Sequence, residues 1–120
     1  MKRDMDLCRE ILRQIAECPN LNAPVEVAVE GRSDDEITYQ LHIMRRAGLI
    51  EAVDASSMDG IAYLDPRLTW KGNEFLDVTS DNTVLNKAKE KLAQAGGAFT
   101  FDLLLAACKA VIRDRTGLDL

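Results

Sequence analysis

At 120 residues the chain has the length of a single domain. Hydrophobic residues make up 47% and charged residues 29%, a balance that supports a packed core and excludes general disorder. The net charge of -5 argues against a protein that coats nucleic acid or anionic membranes.

No run approaches the roughly 20 apolar residues of a membrane span. The polar residues 1–6 lack the apolar core of a signal peptide, so a cytoplasmic chain with no membrane partner is expected.

Residues 4–17 read as a helix. Leu7, Ile11 and Ile15 repeat every four residues, with Cys8 and Leu12 beside them and Arg9, Glu10, Arg13 and Gln14 opposite. Asp4 can cap its start, and Pro19 with Asn20 ends it. Residues 25–30 alternate valine with small or charged residues, which predicts a short strand stopped by Gly31. Ser33 and Glu36 form a capping box that opens a helix through Ala47, and Gly48 supplies its left-handed stop. Ile37, Leu41 and Met44 mark its core stripe.

Residues 49–53 and 61–64 read as the two strands of a hairpin around a polar loop, which is expected to be mobile over 55–60. The strand at 25–29 is expected to join this hairpin as a three-stranded antiparallel sheet. Pro66 places the second hairpin strand at an edge or a bulge. Thr69 caps a helix carrying Phe75, Leu76 and Val78. Residues 80–82 break that helix and cap another over 83–95, with Leu85, Ala88 and Leu92 on one side and Gly96 and Gly97 at its end. Thr100 opens the last helix, which runs to Arg115 before Gly117.

The resulting class is α+β. A winged-helix-like core over 1–79 (helix, strand, helix, two-stranded wing) carries additional C-terminal helices over 80–120, within one domain spanning 1–120.

Cys8, Cys18 and Cys108 are odd in number, form no CxxC and are accompanied by one histidine, His42. Reduced thiols are expected, with no metal site and no cofactor. Walker and GxGxxG spacings are absent, and His42 has no nucleophile placed beside it by spacing, so no catalytic residues are assigned.

The chain also resembles a known family. The residues that carry the likeness are Met1-Lys2-Arg3-Asp4-Met5-Asp6-Leu7, Ala47-Gly48-Leu49-Ile50-Glu51-Ala52, Ser57-x-Asp59-Gly60 and Arg67-Leu68-Thr69-Trp70-Lys71-Gly72-Asn73-Glu74-Phe75-Leu76-Asp77. Asp81-Asn82-Thr83-Val84-Leu85-Asn86-Lys87 and Gly96-Gly97-x-x-Thr100-Phe101-Asp102 extend it. Together they are similar to the domain of unknown function 2513 family of small bacterial and prophage proteins. The resemblance implies a winged-helix-like fold and frequent residence in phage or prophage DNA. It supplies no catalytic or binding residues.

Two functions compete on the residues themselves. With its core stripe buried, the helix at 34–47 presents Thr38, Tyr39, His42, Arg45 and Arg46, side chains able to contact DNA or a protein partner. Electrostatics oppose DNA. The helix begins Asp34-Asp35-Glu36, residues 51–65 hold four acids and no Lys or Arg, and residues 1–70 hold 8 basic against 13 acidic side chains. A non-enzymatic module that docks on an unidentified protein partner is therefore the leading reading, and a DNA-binding transcription regulator the alternative. Trp70 is expected to plug the space between the wing and the next helix, its other role being a partner-facing anchor.

The last helix is unusually apolar: nine of the ten residues 103–112 are hydrophobic. Leu104, Ala107, Cys108 and Val111 form one stripe, which leaves Leu103, Leu105 and Ile112 as candidate contacts of a homodimer.

Overall fold

In the computed structural model, residues 1–96 and 100–117 are described. Gly97, read above as part of a helix stop, lies outside them. Helix α1 spans Met5–Ala16 and α2 spans Asp34–Arg46. Strands β1, Ile50–Asp54, and β2, Tyr63–Leu68, follow; then come α3, Trp70–Val78, α4, Asn82–Gln94, and α5, Phe101–Thr116. Among the described residues the chain has five helices and one two-stranded antiparallel sheet. This α+β layout is compatible with a winged-helix-like core. The chain divides into two compact units, Met1–Asn73 and Glu74–Leu120.

In the first unit, the Asp4 carboxylate accepts from Leu7 N–H and caps α1, as its residue type requires. Leu7, Cys8, Ile11, Leu12 and Ile15 are buried, so the sequence stripe is the packed face. The capping box on α2 forms in both directions between Ser33 and Glu36. Ile37, Leu41 and Met44 are buried as expected, and Gly48 takes φ 81° at the helix exit.

Gln40 joins that buried stripe, which the apolar pattern did not indicate. Its Oε1 accepts from Asp4 N–H at 3.0 Å and from the Cys8 thiol at 3.2 Å, and its Nε2 donates to the Lys2 carbonyl at 3.0 Å. One carboxamide thus ties the start of the chain to α2. Arg32 adds a second tie, pairing with both Asp4 and Glu36.

The expected strand at 25–30 is corrected by the structure. The segment is extended and keeps its alternation, with Val25, Val27 and Val29 half-buried and their neighbours exposed, but it pairs with neither hairpin strand. The Gln14 carboxamide replaces the ladder, donating to Ala28 C=O at 2.9 Å and accepting from Ala28 N–H at 3.3 Å. Strand β2 offers little for a ladder, because Pro66 has no N–H. Its Arg67 side chain does the reaching instead. The guanidinium donates to the carbonyls of Asn20, Leu21 and Ala23 and to Asp65, and lies 3.2 Å from Cys18 Sγ.

The hairpin pairs Ile50 with Leu68, Glu51 with Arg67, Val53 with Leu64 and Asp54 with Tyr63. Ala52 alone faces both Asp65 and Pro66, which makes the bulge that proline implied. Asp65 takes φ 50° there. Near the tip, Ser57 and Gly60 exchange two backbone hydrogen bonds, and the Ser56 hydroxyl accepts from Ala62 N–H.

In the second unit, α4 and α5 pack on each other, and Phe75 meets Phe101 edge-on at 5.3 Å between ring centres. Val84, Leu85, Ala88, Leu104, Cys108 and Val111 fill the core, while Leu92 is half-buried. Asp81 and Thr100 cap the two helices. Lys91 pairs with Asp114 and Lys109 with Glu74.

Candidate functional site

Residues 35, 38, 39 and 42 are spaced by three and four, so the helical period puts them on one face of α2. Asp35, Thr38, Tyr39 and His42 line a cleft of about 580 Å³, closed by Met1 and by Ile61 in the loop that joins the two hairpin strands. Thr38, Tyr39 and His42 are half-buried, whereas Arg45 and Arg46 are exposed.

The hairpin engages this face through Tyr63. Its hydroxyl shares a 2.6 Å hydrogen bond with His42 Nδ1, and the Arg45 guanidinium lies over its ring, 5.4 Å from the centre. Asp54 stands opposite Tyr63 in the ladder. Hydrogen bonds from Ser56, assisted by the fields of Arg45 and His42, hold the Asp54 carboxyl below its ordinary range. Thus His42 and Arg45 are engaged within the chain. Nothing local in the sequence marks Tyr63 as the organiser, since it lies 21 residues from His42.

The other face of the hairpin is apolar and open. Val53 and Leu64 are ladder partners, 59% and 57% exposed, and Met58 at the tip is fully exposed. Side chains directly opposite in a ladder touch, so Val53 and Leu64 form one patch. Neither residue stands out in the sequence. The signal available was the alternation that sends residues 53 and 64 to the side away from Tyr63.

Trp70 corrects an expectation. It does not plug the wing; it stands 86% exposed at the start of α3. The first turn of α3 docks through Thr69 and Gly72 instead. Thr69 donates from N–H to Leu49 C=O at 3.1 Å and from its hydroxyl to Gly48 C=O at 2.6 Å, and the same hydroxyl accepts from Gly72 N–H.

On α5, Leu103 is 44% exposed, while Leu105 and Ile112 are half-buried. Among the described residues no cluster of three or more His, Cys, Asp or Glu side chains could hold a metal ion. No described helix is long and apolar enough to cross a membrane.

A relative from Haemophilus influenzae, described as an uncharacterized protein, is 32% identical over 112 residues, 92% of each chain. No solved structure matches the chain. Residues 2–98 match the family model described as Hypothetical protein (DUF2513), a span well over half of the chain, and the protein belongs to that family.

Proposed function

We propose that the protein is a non-enzymatic binding module whose hairpin docks on a protein partner. The observation that carries this reading is the exposed Val53–Leu64 pair on a hairpin without a basic side chain between residues 51 and 65. Apolar surface on a hairpin that carries Glu51, Asp54, Asp59 and Asp65 suits an apolar partner surface bordered by basic groups. Exposed Trp70 adds an aromatic of the kind that anchors such contacts. The setting implied by the family resemblance makes a host or phage protein the partner.

The DNA reading is disfavoured by the same geometry. Two of its five side chains, His42 and Arg45, already contact Tyr63, and the adjoining hairpin brings acids where phosphates would lie. Two experiments separate the readings. Capture of a defined protein from host lysate is expected, abolished by Val53→Glu/Leu64→Glu and retained by Arg45→Ala/Arg46→Ala. Tight, salt-sensitive gel-shift binding of DNA, lost in the double arginine variant, would overturn the proposal.

A further inference from the structure

The cleft on α2 offers unused polar groups at close quarters. Among the described residues, the side chains of Asp35, Thr38 and Tyr39 make no hydrogen bond or ion pair, although Thr38 and Tyr39 are half-buried. A carboxylate, a hydroxyl and a phenol thus line one concavity whose remaining walls are Met1, Ile61 and His42. Apolar walls with a few convergent polar groups are the usual make-up of a recognition pocket.

The chemistry selects the occupant. A carboxylate without a counter-ion calls for a cation. An aromatic wall favours a cation that is flat and weakly hydrated, and the Met1 and Ile61 walls suit a methylene stem. An arginine side chain meets all three conditions; a lysine ammonium is a strongly hydrated point charge and meets the second poorly. The chain already makes this kind of contact nearby, where Arg45 packs over Tyr63. Arg45 does not oppose a second guanidinium at Asp35, because ten residues of helix separate them, about 15 Å.

We propose that this cleft is the pocket for an arginine side chain presented by the partner polypeptide, with Asp35 as its counter-ion and Tyr39 as its stacking wall. The proposal rests on the protein-docking reading and deepens it by naming a residue that the partner supplies. It also fits the acidic excess of residues 1–70, which favours a basic partner.

The test uses small probes, so it needs no identified partner. Titration of the full chain with N-acetyl-arginine amide, followed by amide chemical shifts, is expected to give saturable changes at Thr38, Tyr39, His42 and Ile61. The citrulline analogue, equal in shape and uncharged, is expected to bind about fivefold more weakly or not at all. Asp35→Asn should weaken the arginine probe by a similar factor, while Asp34→Asn, outside the cleft, should not. The rest of the spectrum reports that each variant is folded. Absence of saturable shifts, equal binding of citrulline, equal binding of the lysine analogue or full binding by Asp35→Asn would each overturn the proposal. Failure here leaves the hairpin reading intact, since Val53 and Leu64 lie on the other face and are tested by partner capture.

Discussion

The carbonyl oxygen of Leu49 lies where a side chain on Gly72 would begin: a Cβ built on Gly72 would stand 2.0 Å from it. Glycine is required at this position for close approach, not for a left-handed backbone. The contact seats the first turn of α3 against the chain leaving α2, beside the Thr69 bonds to Gly48 and Leu49. Gly72→Ala must push backbone against backbone and is expected to cost about 1–3 kcal/mol or more. Chemical denaturation measures it. A midpoint equal to that of the native chain would show that α3 can lift away without loss.

Acid should weaken α1 in a defined window. Hydrogen bonds from Arg13, then from Gln14, lower the Glu10 carboxyl from 4.5 to about 2. A carboxyl lowered on folding stabilises the folded state fully above its unfolded value and loses that contribution as pH falls through its folded value. The Glu10 contribution therefore fades between pH 4.5 and about 2. Arg32 lowers Asp4 and Glu36 in the same direction. Glu10→Gln is expected to flatten the acid limb of stability modestly, because the pair is solvent-exposed. Thermal melts from pH 7 to pH 2 give the answer, and an unchanged slope would remove Glu10 from the account.

The three thiols should differ sharply in reactivity. Burial, followed by the Asp4 charge, pushes the Cys8 thiol up to about 12, and Cys108 is fully buried. Cys18 is half-exposed in the loop held by Arg67. A thiolate is the reactive form, so a disulfide reagent at mildly alkaline pH should modify Cys18 first, with Cys8 and Cys108 following only as the chain opens. Peptide mapping over time reads the order. Cys8 labelling as fast as Cys18 would mean that α1 does not shield it.

Much of this architecture is written in local signals. Helices α1, α2, α4 and α5 follow from their apolar stripes and capping residues, and the bulge follows from Pro66. What escaped the sequence depends on distant partners. The valine alternation at 25–29 marks an extended, half-buried segment, yet nothing local says that the Gln14 amide would bind it in place of a strand. Arg67 reads as a surface charge until the carbonyls of Asn20, Leu21 and Ala23 are seen around it. The candidate face was legible as Thr38, Tyr39, His42, Arg45 and Arg46, because helical spacing collects them. Tyr63 was not, because its role is set by how the hairpin folds back toward α2.

Gln40 is the residue whose loss should most directly reveal that kind of long-range tie. It is 3% exposed, and its amide group satisfies Asp4 N–H, the Lys2 carbonyl and the Cys8 thiol at once. Gln40→Leu keeps the volume and removes all three bonds. It leaves the buried Cys8 thiol without this acceptor and frees residues 2–4, at an expected cost of about 1–3 kcal/mol. Gln40→Glu should be worse at neutral pH. A carboxylate cannot donate to the Lys2 carbonyl and instead faces that oxygen and the Asp4 charge with charge of the same sign. The order native, Leu, Glu in denaturation midpoint, together with faster amide exchange at residues 4–8 in both variants, is the expected result. A Glu variant as stable as the Leu variant at pH 7 would mean that the Lys2 and Asp4 contacts are not held in solution.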